Sequence, residues 1–69
     1  MSGELIRKLR RLEGRNVNLC LADGSRLDDV SLVSVRSRTI WVFGNGEDAF
    51  VRVDQVRDFW EAQPLRPAA

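Results

Sequence analysis

Residues 14–24 read GRNVNLCLADG, and this stretch decides the fold because it joins an alternating strand to a tight turn. Apolar residues recur at every second position, which is the pattern of a strand with one buried face. These residues are Val17, Leu19 and Leu21. Asp23-Gly24 then predicts a hairpin, since a primed turn needs positive φ and glycine adopts it without steric cost. A second strand is therefore expected to begin near Arg26.

Before this hairpin, residues 3–13 are predicted to form a basic amphipathic helix. Its apolar residues recur at i, i+4 and i+7, so one face can pack on a core. They are Leu5, Leu9 and Leu12, with Ile6 widening the stripe. The other faces carry Arg7, Lys8, Arg10 and Arg11. These cations have two interpretations, a solvated helix face or a contact with nucleic acid.

After the first strand, residues 15–22, four more strands are predicted over residues 26–35, 39–44, 48–53 and 56–60. Apolar parity changes within the second strand, which predicts a bulge or a strong bend near Asp28-Asp29, since a bulge switches the face that the following side chains occupy. Asn45-Gly46 predicts another hairpin turn. The run TIWVF, residues 39–43, is typical of a well-buried strand. The fold class is therefore mainly β, with an N-terminal helix and a strongly bent, five-stranded antiparallel small barrel over residues 1–61.

Composition limits what so small a domain can do alone. With 69 residues, 43% of them hydrophobic, the chain buries a limited share of its surface, and oligomerisation would supply what is missing. Residues 62–69 combine both prolines with little apolar content, which predicts a disordered tail. The net charge of +1 argues against binding nucleic acid by bulk charge, so the local distribution of cations has to carry that function.

Several functional classes are excluded by residue content. One cysteine and no histidine rule out a metal cluster, a disulfide framework and histidine-based catalysis. No nucleophile–base pair is evident, so we expect neither an enzyme nor a cofactor. The sequence also lacks an apolar run long enough for a membrane span and the apolar core of a secretion signal, which predicts a cytoplasmic protein without membrane association.

Several of these features together resemble the Sm/LSm fold over about residues 4–60. They are the helix, Gly14, the V-x-L-x-L-x-D-G pattern of residues 17–24, Leu27, and the FVRVDQV segment of residues 50–56. The helix end is similar to the arginine-rich rim of the bacterial branch, the Hfq RNA chaperones, through Arg10, Arg11, Glu13 and Arg15. The resemblance implies a homo-hexameric or homo-heptameric ring in which the fourth strand of one subunit pairs with the fifth strand of the next.

The chain departs from the family pattern at the RNA pocket. Asp28-Asp29 replaces the usual glycine after Leu27. Val51, Arg52 and Val53 stand where Hfq has Tyr-Lys-His. Of the Arg-Gly pair in the Sm motif, only the arginine is retained, as Arg52, and Val53 replaces the glycine. The fold expectation does not depend on these positions, because it rests on apolar periodicity and turns.

The resemblance implies two sets of functional residues. Single-stranded RNA would contact the pore loops through Arg36, Arg38 and Arg52, or the helix end through Arg7, Lys8, Arg10, Arg11 and Arg15. The subunit interface would contain Phe50, Val51, Val53, Val56, Phe59 and Trp60. Arg52 has a second interpretation as a structural ion pair with a nearby acid. The alternative function is an Sm-like or SH3-like barrel that binds a protein partner and no RNA.

Overall fold

The computed structural model describes residues 2–62, and the predicted tail beyond Ala62 lies outside the described residues. The elements are α1 (Ser2–Arg10), β1 (Asn16–Leu21), β2 (Arg26–Val35), β3 (Thr39–Gly44), β4 (Glu47–Arg52), a 3-10 turn (Val53–Gln55) and β5 (Val56–Glu61). The mainly β fold with an N-terminal helix is confirmed, and β2 and β3 have the predicted bounds. Ala62, which the sequence assigns to the tail, is buried, and its N–H donates to the Asn16 carbonyl at 2.9 Å.

The five strands form one antiparallel sheet in the order β4-β3-β2-β1-β5. Each strand between the ends of this order has two neighbours, whereas β4 and β5 have one neighbour each. Among residues 2–62 the sheet is therefore open. Its two free edges belong to the last two strands.

The helix ends at Arg10, three residues earlier than the expected end at Glu13. Residues 11–14 continue as a turn, in which the Leu12 and Glu13 N–H groups donate to carbonyls three residues back, at 2.9 and 3.2 Å. Gly14 then takes φ +84°, and its N–H donates to the Leu32 carbonyl at 2.7 Å. Glycine tolerates this conformation, so the chain can leave the helix and join the sheet there. Within residues 2–62, no helix combines the length and the apolar character needed to cross a membrane.

The two hairpin turns lie where the sequence predicts them but differ in type. At the first turn Gly24 has φ +90° and Asp23 does not have positive φ, so a type I turn followed by a glycine bulge replaces the expected primed turn. The Asp23 carboxylate accepts bonds from the Ser25 hydroxyl (2.6 Å) and N–H (2.9 Å), and these bonds stabilise the turn and lower the pKa of Asp23. Asn45 (φ +54°) and Gly46 (φ +78°) do form the primed turn.

The bulge predicted in β2 is confirmed. The register of β1 against β2 shifts at Asn18, which lies opposite both Asp28 and Asp29. Asp29 takes φ +54°, a value uncommon for a residue with a side chain. Its N–H donates to Asn18 Oδ1 at 2.7 Å, and its Oδ1 accepts from Asn16 Nδ2 at 2.8 Å. The Asn18 side chain thus satisfies a backbone N–H at the bulge, and the Asn16 side chain holds the Asp29 carboxylate.

A second irregularity lies later in β2 and was not predicted separately. The register of β2 against β3 shifts between Leu32 and Ser34. Val33 between them is 39% exposed, whereas Val30 and Val35 on either side of the shift are both 5% exposed. The mixed parity of β2 therefore comes from two face changes.

The core lies between the helix and one face of the sheet. Leu19 and Ile40 of the sheet are fully buried, and so is Leu9 on the helix face that packs against the sheet. The other buried residues of the core cluster are Val17, Val30, Leu32, Val35, Val42, Val51, Val53 and Val56, with Leu5, Ile6 and Leu12 packed against them. The predicted parity of β1 and the predicted helix stripe are confirmed. We call the side of the sheet away from this core the outer face.

Replacing Leu19 with Ala is expected to lower the free energy of unfolding by about 2 to 5 kcal/mol, because a fully buried leucine leaves a cavity when it is truncated. Urea denaturation measures the change. Val33→Ala, on the exposed bulge of β2, is the control and should stay within about 0.5 kcal/mol of the parent. A Leu19→Ala variant as stable as the control would show that Leu19 does not fill the core.

The bulge at Asp29 gives a second prediction about stability. Asp29→Asn should retain the parent's free energy of unfolding, since asparagine tolerates positive φ and keeps a side-chain acceptor. Asp29→Val should lower it by about 1 to 3 kcal/mol, because a β-branched residue is strained there. Equal stabilities of the two variants in the same urea titration would contradict a left-handed conformation at this position.

Candidate nucleic-acid and subunit interfaces

The loop between β2 and β3, residues 36–38, is bonded to the 3-10 turn that follows β4. The Arg36 N–H donates to the Thr39 carbonyl at 2.9 Å and closes the loop. The Val53 N–H donates to the Arg38 carbonyl at 2.7 Å and joins the loop to the turn. Two segments that are distant in sequence therefore meet at one end of the sheet.

This contact places Arg38 and Arg52 in the wall of one open cleft of about 530 Å³, which we call the loop cleft. Its other lining residues are Ser37, Thr39, Val53 and Asp54. Guanidinium and hydroxyl groups suit an anionic ligand. Arg36 is exposed in the same loop but does not line the cleft.

Within residues 2–62, no group of three or more His, Cys, Asp or Glu side chains is arranged to hold a metal ion.

One of the two cleft arginines has an acidic neighbour. Arg52 Nη2 lies 2.8 Å from Asp54 Oδ2, so the ion pair that the sequence offered as a second interpretation of Arg52 is present. Their side chains are 73% and 60% exposed. An exposed pair of this kind contributes about 0 to 1 kcal/mol, which leaves Arg52 free to exchange Asp54 for another anion.

The predicted cations of the helix end are distributed over other surfaces. Arg7 and Lys8 line a separate cleft together with Arg57. Lys8 is also 3.5 Å from Glu4, one turn earlier in the helix. Arg15 pairs with Glu61 at 2.9 Å, while Arg10 and Arg11 are exposed at the end of the helix. Arg7 and Lys8 thus lie on a basic surface separate from that of the two cleft arginines.

The residues predicted for a subunit interface fall into two groups. Val51, Val53 and Val56 are buried in the chain's own core, and Phe59 packs against that core. At the buried positions the chain can offer mainly its backbone to another copy. Phe50 and Trp60 are 68% and 39% exposed, so their side chains are accessible.

A cluster of aromatic side chains on the outer face was not predicted. Trp41 stacks on Phe50 across β3 and β4, with ring centroids 5.8 Å apart and an angle of 28° between the planes. Trp41 Nε1 donates to Asp48 Oδ1 at 2.9 Å, and Phe43 on the same strand is 43% exposed. The expectation of a well-buried third strand is therefore wrong for Trp41 and Phe43. The alternation within TIWVF carried the signal, because Ile40 and Val42 share the other parity.

Trp60 has its own polar neighbour on the outer face. The guanidinium of Arg26 lies 5.3 Å from the centroid of the Trp60 ring, at cation–π distance. Arg26 also donates to Asp28 at 2.8 Å, and this hydrogen bond and the charge of Asp28 raise the pKa of Arg26. The Trp60 ring is thus held beside a permanent positive charge.

No protein-family model matches this sequence, and no curated protein is significantly similar to it. The resemblance to the Sm/LSm fold rests on the residues named above. Membership of that family stays a prediction.

Replacing Asp54 with Asn is expected to change the free energy of unfolding by less than about 1 kcal/mol, because the Arg52–Asp54 pair is solvent-exposed. The difference from the parent should shrink further at 1 M salt, where exposed charges are screened. Thermal unfolding at low and high salt measures both. A loss of more than about 2 kcal/mol would assign Arg52 a structural role and remove it from the candidate binding surface.

Proposed function

We propose that this chain assembles into a closed ring of six or seven copies that binds single-stranded RNA at the loop clefts. The observation that carries the proposal is the pair of arginines, Arg38 and Arg52, in one open cleft of a sheet with two free edges. We place this function in the cytoplasm, because a single cysteine suits a reducing compartment.

The free edges of β4 and β5 support the assembly part of the proposal. An edge strand presents unpaired N–H and C=O groups that can pair with another chain. Pairing β4 of one copy with β5 of the next would use both edges, and closure would remove them. It would also add buried surface to a domain of 69 residues.

Repetition by symmetry supports the RNA part. The chain has a net charge of only +1, but each copy in a ring would add another loop cleft with two guanidinium groups. A ring of such clefts would concentrate positive potential where a phosphate backbone could pass. Arginine can also stack on bases, so one residue type would serve both contacts.

A second candidate function is a protein-interaction module that binds no RNA. The exposed stack of Trp41 and Phe50 favours it, because exposed aromatic patches mark protein interfaces. Asp54 beside Arg52 also offsets part of the charge of the loop cleft. The two functions differ in whether the parent protein binds RNA at all.

Fluorescence anisotropy with U-rich and A-rich RNA oligonucleotides at about 50 mM salt distinguishes the RNA-binding function from the protein-interaction function. The parent is expected to bind, and its affinity should fall steeply towards 200 mM salt because phosphate contacts release counterions. The double substitution Arg38→Ala and Arg52→Ala should lower affinity at least about tenfold. Asp54→Asn should raise it, because the cleft loses a negative charge.

The matched control replaces Arg7 and Lys8 with Ala, which removes the same number of cations from the other basic surface. Its affinity should stay within about threefold of the parent. A large loss in this control and none in the cleft variant would move the RNA contact to the helix end. A parent that binds no oligonucleotide more tightly than about 100 μM, the weak end of non-specific nucleic-acid binding, would leave the protein-interaction function.

A further inference from the structure

Each free edge of the sheet carries one exposed aromatic side chain on the same outer face. Phe50 on β4 lies opposite Trp41, while its neighbour Val51 faces the core. Trp60 on β5 lies opposite Asn18, while its neighbour Phe59 lies opposite the buried Leu19. Within residues 2–62, no further strand pairs with β4 or β5 on its free side, and the two side chains are 68% and 39% exposed.

We propose that Phe50 of one copy packs against Trp60 of the partner subunit, so that the outer face of the subunit boundary is an aromatic seam. The occupant of the exposed aromatic patch is thus a second copy of this chain. This inference rests on the assembly part of the proposed function and adds which side chains pair across the boundary and in which register. In this register β4 and the partner's β5 run antiparallel with Phe50 directly opposite the partner's Trp60.

The side-chain pattern of the two strands supports that register. On the outer face, this register places Arg52 opposite the partner's Asp58. Opposite charges at facing positions stabilise an antiparallel pair of strands. On the core face it places Val51 opposite the partner's Phe59, so the apolar layer continues across the boundary. A shift of one residue would turn every side chain to the wrong face.

A shift of two residues keeps the faces but loses the complementary pairs. In one direction Phe50 would lie opposite the partner's Asp58. In the other direction Arg52 would lie opposite the partner's Trp60 and Val51 opposite the charged Glu61 of the partner subunit. The register that aligns the two aromatic rings therefore also aligns the charges and the apolar residues.

Both rings are already held in place within the single chain. Phe50 is stacked on Trp41, whose Nε1 donates to Asp48, and Trp60 lies beside the Arg26 guanidinium. Side chains that are ordered before association lose less entropy on binding. Arg52 needs only to exchange its exposed contact with Asp54 for the partner's Asp58.

The seam joins two different surfaces, so the interface is heterologous. Each copy contributes one β4 edge and one β5 edge, and such an interface can continue from copy to copy until a ring closes. A two-fold dimer through β4 alone would instead align Phe50 with Phe50 of the partner subunit and leave Trp60 exposed. The two arrangements give opposite results when only one edge is damaged.

Light scattering at micromolar concentration of the parent, Phe50→Ser, Trp60→Ser and an equimolar mixture of the two variants tests the inference. Each variant alone should be a monomer of about 7.9 kDa, because one of its two edges cannot form the seam. The mixture should form a 1:1 dimer of twice that mass through the one intact Phe50–Trp60 boundary. Phe43→Ser, an exposed aromatic of β3 away from the edge, is the control and should assemble like the parent.

Circular dichroism shows whether the monomeric variants keep the β-sheet signal, which we expect because both side chains are exposed. A third variant, Arg52→Asp, tests the register separately: it should weaken assembly at least about tenfold, and adding Asp58→Arg should restore it. Failure of this charge reversal to rescue assembly would overturn the register.

Other outcomes contradict the inference in distinguishable ways. If the parent assembles and Phe50→Ser assembles equally well, the seam is wrong while assembly stands. If Trp60→Ser alone forms dimers, the interface is a two-fold contact of β4. If Phe50→Ser keeps its mass but loses RNA affinity, the patch binds bases and not a second copy. A monomeric parent would overturn both the seam and the ring.

Discussion

The bulge at Asp28-Asp29, held by the side chains of Asn16 and Asn18, determines the shape of this domain. A bulge bends its strand and increases the local twist. The ten-residue β2 can therefore pair with β1 along its first half and with β3 along its second half. Without the extra residue, Val30 and the residues after it would face away from the core. The positive φ of Asp29 costs free energy locally, and the two asparagine bonds offset it.

The bulge in β2 bears on the proposed function because the sheet that it bends has two free edges. A bent central strand leaves β4 and β5 as the two free edges of one sheet, and the contact between Arg38 and Val53 brings the loop cleft to its end. The same geometry thus supplies edges for assembly and a basic cleft that assembly would repeat. The exposed rings of Phe50 and Trp60 would seal the outer side of each boundary, and Arg52 would lie where that boundary meets the loop cleft.

Apolar periodicity and turn residues were enough to predict the element order, the bounds of β2 and β3, and the burial of Leu19. They were not enough for features that depend on side-chain hydrogen bonds or on which face is covered. The Ser25 bonds to the Asp23 carboxylate are such side-chain bonds. In β3, the alternation separates Trp41 from Ile40 and Val42, but it does not say which of the two faces is covered. At the candidate site, the Arg52–Asp54 pair could be anticipated from spacing, but the backbone bond that joins the loop of Arg38 to the turn after β4 could not.

Amide hydrogen exchange in β4 and β5 tests most directly whether the two free edges are paired in solution. In each edge strand, alternate N–H groups point to the neighbouring strand of the same chain and the others point away from it. If the edges pair between copies, both sets should be protected at micromolar concentration about as well as the amides of β3, and the outward set should lose protection on dilution. Fast exchange of the outward set at every concentration would contradict assembly through these edges.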